Sequence, residues 1–254
     1  MAWVADRVAA EELAAAARVR VFFGHQSVGM NLIGGIPGIF AANGVSEPRI
    51  VELGPDGASA PAGGGGFFGH GYIGQNGDPF GKLRDFDARM RGGLGDQVDV
   101  ALMKWCYVDV LSDSDVDGLF REYRTTFDAL ERDFPAVTFI HVSNPLTTEV
   151  ETGRKAALLR MLGRTDTSRA DNATRHRLNE RFRQAYEPDR LFDIAQIEAT
   201  TPDGSTVSGA VDGRPYQALY GGYAADSGHL NEAGSQLAAA QLLKLLARTA
   251  AARS

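Results

Sequence analysis

Short apolar runs alternate with longer amphipathic stretches along this 254-residue chain, and that alternation restricts its fold more than any single motif. Residues 18–24, 49–53, 97–104, 137–142 and 191–197 read as five strands, rich in Val, Ile, Leu and Phe. Residues 3–17, 27–42, 79–91, 114–133, 151–162, 170–186 and 231–250 read as helices. Pro79 suits the first turn of its helix. A long glycine-rich loop, including four consecutive glycines at 63–66, precedes that helix. Residues 200–225 are polar and glycine-rich and read as a hairpin. Strands separated by helices imply parallel βαβ units and an α/β fold with both sheet faces covered. Such a sheet takes its ligand beyond the C-terminal strand ends. Ser27, the 63–78 loop, residues 104–109 and Asn144 all follow predicted strands and so fall on that rim. There is no internal repeat or linker-like segment, and one domain over 1–254 is expected.

Composition narrows the function. A hydrophobic content of 44% supports a sizeable core, and a net charge of −6 without a dense Lys/Arg run argues against a nucleic-acid binder. The single cysteine, Cys106, allows no internal disulfide. Residues 3–17 carry Asp6, Arg7, Glu11 and Glu12, which suits an amphipathic helix rather than a signal peptide. No run approaches the ~18 apolar residues of a membrane span. The expectation is a cytoplasmic protein with no membrane or nucleic-acid partner, its oligomeric state open. The five histidines are dispersed without H-x-x-x-H or C-x-x-C pairing, and the glycine run lacks a following G-K-[ST], so no metal or cofactor is expected. Convergence of Asp78, Asp109, Asp226 and His229 on a metal is the weak alternative.

The two ends of the chain carry the chemistry. Near the C-terminus, Asp226-Ser227-Gly228-His229-Leu230-Asn231 reads D-x-x-H-L-N just before the last helix. An acid three residues before a histidine on a glycine-containing loop can orient it as a general base. Near the N-terminus the first strand runs into Gly24-His25-Gln26-Ser27, which offers a nucleophile on a tight turn. Ser27 also suits a helix N-cap, and the two roles are compatible. The Ser27 backbone N–H, at a helix N-terminus, is a natural oxyanion donor. His25 is either a substrate contact or a turn residue with a satisfied imidazole. Cys106 is a rival nucleophile, but a strand-end cysteine more often packs as a small hydrophobe. Lys104, if buried, needs a partner such as Asp109.

These residues resemble the SGNH/GDSL hydrolase family. Asp226 and His229 match its D-x-x-H block. Ser27 matches its G-D-S serine, with the aspartate missing and one residue added. Gly71-Tyr72-Ile73-Gly74 is similar to its G-x-x-G block, and Asn179 with the following 191–194 segment to its penultimate helix and strand. The 100–107 segment takes the place of the block ending in G-x-N-D, without the asparagine. The resemblance implies a flavodoxin-like, three-layer α/β/α sandwich with a mainly parallel five-stranded sheet. It implies a serine ester hydrolase using Ser27, His229 and Asp226, with acetylated carbohydrate or another small acyl ester as substrate. It also makes the Gly74 N–H the second oxyanion donor. Lys104, Asn76 and Asn144 are the candidates to replace the missing asparagine, and Tyr72, Trp105, Tyr107 and Tyr223 could line a sugar-compatible pocket. A binding protein that kept the fold and lost catalysis is the alternative.

Overall fold

The first strand, β1 (Arg20–His25), is buried at every position after Arg20, and β4 (Val100–Met103) is buried throughout. Strands this apolar on both faces belong inside a parallel sheet covered by helices. The computed structural model, which describes residues 8–54, 61, 65–150 and 166–253, shows that arrangement. With β2 (Arg49–Glu52), β3 (Phe67–Tyr72), β5 (Thr138–Val142) and β6 (Leu191–Phe192), the sheet runs in the order β2-β3-β1-β4-β5-β6. Every neighbouring pair in it is parallel. The five strands β3-β1-β4-β5-β6 follow the flavodoxin order, with the switch between β1 and β4, and β2 adds an edge beside β3.

Side-chain alternation divides the core in two. Val21, Phe23, Val100, Leu102, Ile140 and Val142 face one layer of helices: α1 (Ala10–Ala16), α2 (Ser27–Ala42), α6 (Ile194–Ala199) and α7 (Glu232–Ala252). Phe22, Ala101, Met103 and Phe139 face the other: α3 (Pro79–Arg91), α4 (Val116–Asp133) and α5 (Ser168–Ala185). An antiparallel hairpin, β7 (Ser208–Val211) with β8 (Arg214–Gln217), packs on α5. No helix among the described residues is long and apolar enough to cross a membrane. The helix expected at 151–162 lies outside the described residues.

Two expectations are corrected. The sheet has six strands rather than five, because β3 lies in what reads as a glycine-rich loop. Gly69 and Gly71 interrupt its apolar pattern, yet packing requires them. A Cβ at Gly69 would lie 2.8 Å from Leu53 Cδ1, and one at Gly71 would lie 2.8 Å from the Leu53 carbonyl oxygen. The segment 191–197 is not one strand. The chain leaves the sheet at Asp193, whose carboxylate accepts the Gln196 N–H at 3.2 Å and caps α6.

Candidate active site

β1 ends at His25, Gln26 is extended and takes the N-cap position expected of Ser27, and Ser27 is the first residue of α2. Helical dihedrals at Ser27 aim its side chain over the C-terminal rim of the sheet. On the far side of the sequence, Asn231 caps α7 by accepting the Gly234 N–H at 3.1 Å. Its own amide donates to the Gly222 carbonyl at 2.9 Å, and the Ala225 N–H bonds the His229 carbonyl at 2.8 Å. The Leu230 N–H reaches Asn31 Oδ1 on α2 at 3.3 Å, so the 224–231 loop is fastened to the helix that starts at Ser27.

These restraints bring three side chains into line. His229 Nε2 lies 3.0 Å from Ser27 Oγ, across 202 residues of sequence. His229 Nδ1 lies 2.7 Å from Asp226 Oδ2. Asp226 Oδ1 accepts the Gly228 and His229 amides, each at 2.8 Å. Partial burial raises the Asp226 pKa, but those amides and the His229 ring outweigh it and hold the carboxyl below its ordinary value. Tyr107 meets the imidazole edge-on, with ring centroids 5.8 Å apart. Gly228 leaves room for that ring, since a Cβ there would come within 2.5 Å of it. An ionised carboxylate on Nδ1–H leaves the Nε2 lone pair directed at a hydroxyl, which is the geometry that makes serine a nucleophile. The Ser27 N–H sits in the first turn of α2, where amides have no intrahelical acceptor and the helix dipole favours negative charge.

The other expected site residues lie elsewhere. The Gly74 N–H is bonded to Asp85 Oδ2 at 2.8 Å, so that donor is occupied. Lys104 is buried with its ammonium 3.3 Å from both the Trp105 carbonyl and Cys106 Sγ; burial lowers its pKa, and it does not line the open rim. Asn144 is buried and donates to the Cys106 carbonyl at 3.2 Å. His25 is wholly buried at the end of β1, donating from Nδ1 to the Gln26 carbonyl at 2.9 Å with Nε2 3.1 Å from His70 Nδ1, so its imidazole is satisfied, within a strand rather than a turn. Burial lowers its pKa to about 3 and keeps it neutral. Asn76 is exposed, but its carbonyl oxygen accepts from Lys82 Nζ at 2.9 Å. Of the four aromatics, Trp105 and Tyr223 are core residues, and Tyr72 is open to solvent. Asp78 caps α3 and Asp109 pairs with Lys82; among the described residues no group of three or more His, Cys, Asp or Glu could hold a metal ion.

Sequence reading offered Asp109 as a partner for Lys104; the structure pairs it with Lys82 instead, and its role in shaping the rim was missed. The Asp109 carboxylate receives Lys82 Nζ at 2.5 Å, the Gly77 N–H at 2.7 Å and the Cys106 N–H at 2.6 Å. It therefore ties the loop after β3 to the loop after β4. The available signal was Lys82, a cation on the buried stripe of α3 formed with Leu83, Phe86 and Met90. Gln26 completes the scaffold by donating to the Ile73 and Gly74 carbonyls at 2.9 and 3.0 Å.

The architecture has solved counterparts. A Streptococcus pneumonia chain described as a candidate platelet activating factor superposes with a TM-score of 0.53 and 16% identity, covering 93% of this chain and 91% of its own. That likeness extends to the fold, a parallel sheet between two layers of helices. A Desulfitobacterium hafniense DCB-2 chain described as a candidate lipolytic protein of the G-D-S-L family gives a TM-score of 0.48 and 8% identity, over 89% of this chain and 99% of its own. No protein-family model and no curated protein sequence matches the chain.

Proposed function

We propose that this SGNH/GDSL-like chain is a serine ester hydrolase in which Ser27 attacks an acyl carbonyl, His229 takes the serine proton and Asp226 holds the imidazole. The observation that carries the reading is the continuous relay from Asp226 through His229 to the first residue of α2, at 2.7 and 3.0 Å. The proton taken by Nε2 is returned to the leaving alcohol, and water then repeats the sequence on the acyl-enzyme. The Ser27 N–H and the α2 terminus stabilise the oxyanion. With the Gly74 N–H engaged by Asp85, that hole has fewer donors than the resemblance implies, and modest turnover on small acyl esters such as acetates is expected.

Turnover of p-nitrophenyl acetate tests the proposal. Ser27→Ala abolishes turnover above background, and His229→Ala lowers kcat by about 10²–10⁴-fold. Well-folded wild-type protein with no serine-dependent turnover would instead support a binding protein on the same fold.

A further inference from the structure

A pocket of about 580 Å³ lies away from the relay, between α5, the strand β8 and the loop that leads into α4. Neither Ser27 nor His229 lines it, and α5 packs on the sheet face opposite to α2. Its volume falls in the range of small-molecule sites, about 300–1,000 Å³. Three arginines reach it from two elements: Arg177 and Arg181 from successive turns of α5, and Arg214 from β8.

The fold has little use for this charge. Like charges four residues apart on a helix repel, and Arg177 and Arg181 share a single counterion. Asp117 accepts one Nη2 of each, at 2.5 and 2.8 Å. Each guanidinium carries further N–H donors that meet no acceptor among the described residues. Arg214 is exposed and makes no side-chain hydrogen bond or ion pair among the described residues. Its backbone is nonetheless fixed. Asp212 and Gly213 both have positive φ, 50° and 73°, which closes the two-residue hairpin turn and starts β8 at Arg214. The carboxylate in the lining, Glu180, is bonded to Arg183 at 2.7 Å. His176 also lines the pocket, and its buried Nδ1 has no partner among the described residues. The Ser114 hydroxyl accepts the Leu111 N–H at 2.9 Å and keeps its own proton to donate. The lining thus concentrates positive charge and unused donors in a chain whose net charge is −6.

We propose that this pocket is a second ligand site, separate from the Ser27 relay, and that it binds a phosphate group. The chemical class follows from where the donors stand. A carboxylate offers one planar pair of oxygens, which a single guanidinium fork fills. A phosphate carries up to about two negative charges and three acceptor oxygens that point in different directions. That suits guanidinium groups arriving from α5 on one side and β8 on the other, with the Ser114 hydroxyl between elements. A small phosphate ester and the free ion present the same group, and the volume of the pocket leaves room for the organic part of an ester.

Calorimetric titration with glycerol 3-phosphate, inorganic phosphate and citrate tests the assignment on wild-type protein, Arg214→Gln, Arg214→Glu, Arg177→Gln and Ser27→Ala. The arginines replaced are exposed, so the fold should persist, and thermal unfolding checks this. Wild-type protein is expected to bind glycerol 3-phosphate with a Kd of about 0.1–1 mM. Arg214→Gln and Arg177→Gln each weaken binding by about tenfold, the loss of one hydrogen-bonded charge. Arg214→Glu abolishes it, and Ser27→Ala leaves it unchanged. Tighter binding of the ester than of the ion assigns the site to an ester, and equal binding assigns it to the free ion; both support a phosphate site. No phosphate binding at about 10 mM would overturn the proposal. So would equal binding in folded Arg214 variants, citrate binding more tightly than both phosphates, or loss of binding in Ser27→Ala.

Discussion

At the scale of single residues, Glu198 on α6 is a buried carboxyl whose ionisation bears on the stability of the fold. Its carboxyl is buried; one oxygen accepts the Leu146 N–H at 2.6 Å, and the other has no partner among the described residues. Burial raises its pKa from the ordinary 4.5 to about 8. The folded protein therefore keeps this proton after the unfolded chain has lost it. A raised carboxyl favours the folded state fully below pH 4.5, and that contribution is lost as pH rises to about 8. The slope across this window is at most about 1.4 kcal/mol per pH unit. Denaturant unfolding at several pH values should show Glu198→Gln flattening the profile there, and a mutant profile parallel to wild type would contradict the assignment. Asp226 behaves in the opposite sense, since its lowered pKa keeps the carboxylate ionised beside His229 throughout the neutral range. Asp226→Asn is thus expected to lower kcat for p-nitrophenyl acetate far more than it changes KM, because the amide cannot stabilise an imidazolium.

At the scale of elements, α2 carries both the proposed nucleophile and a close approach to α7 at Gly35. Two adjacent glycines separate these demands. Gly35→Ala pushes a methyl into the α7 backbone and should cost about 1–3 kcal/mol, whereas Gly34→Ala meets nothing and should gain about 0.5–1 kcal/mol. Urea unfolding of the two variants reads the difference directly, and equal effects would mean that the α2–α7 contact is looser than described. Helix α2 and helix α3 span the residues that sequence periodicity indicates, 27–42 and 79–91. Their apolar stripes and the Asp78 cap of α3 are local, so the sequence displays them. Strand β3 was hidden for the opposite reason. Gly69 and Gly71 are fixed by contacts with Leu53 and Arg89, and a contact of that kind leaves only a gap in the hydrophobic pattern.

At the scale of the whole molecule, the rim is assembled from loops far apart in sequence and held by buried polar groups. Asp109 with Lys82 is the clearest case, both side chains being wholly buried. Asp109→Asn leaves the Lys82 charge underground without its counterion and should cost about 3–5 kcal/mol. A loss below about 1 kcal/mol in denaturant unfolding would mean the pair is solvated. Asp226 and His229 are three residues apart, so their pairing is readable as a motif. The partnership of Asp109 with Gly77 and Lys82, and that of Gln26 with the 73–74 backbone, spans 27 to 48 residues and has no local signature. The same holds for the Gly74 N–H, which the resemblance gives to an oxyanion and the fold gives to Asp85.

Everything functional rests on Ser27 being activated by His229. Reaction with a fluorophosphonate, followed by mass spectrometry of the digested protein, measures that activation at the atom concerned. The expected result is a single phosphonyl adduct on Ser27, absent from His229→Ala protein that remains folded. An adduct on Cys106 or on no residue, or one on Ser27 that forms equally fast without His229, would contradict it.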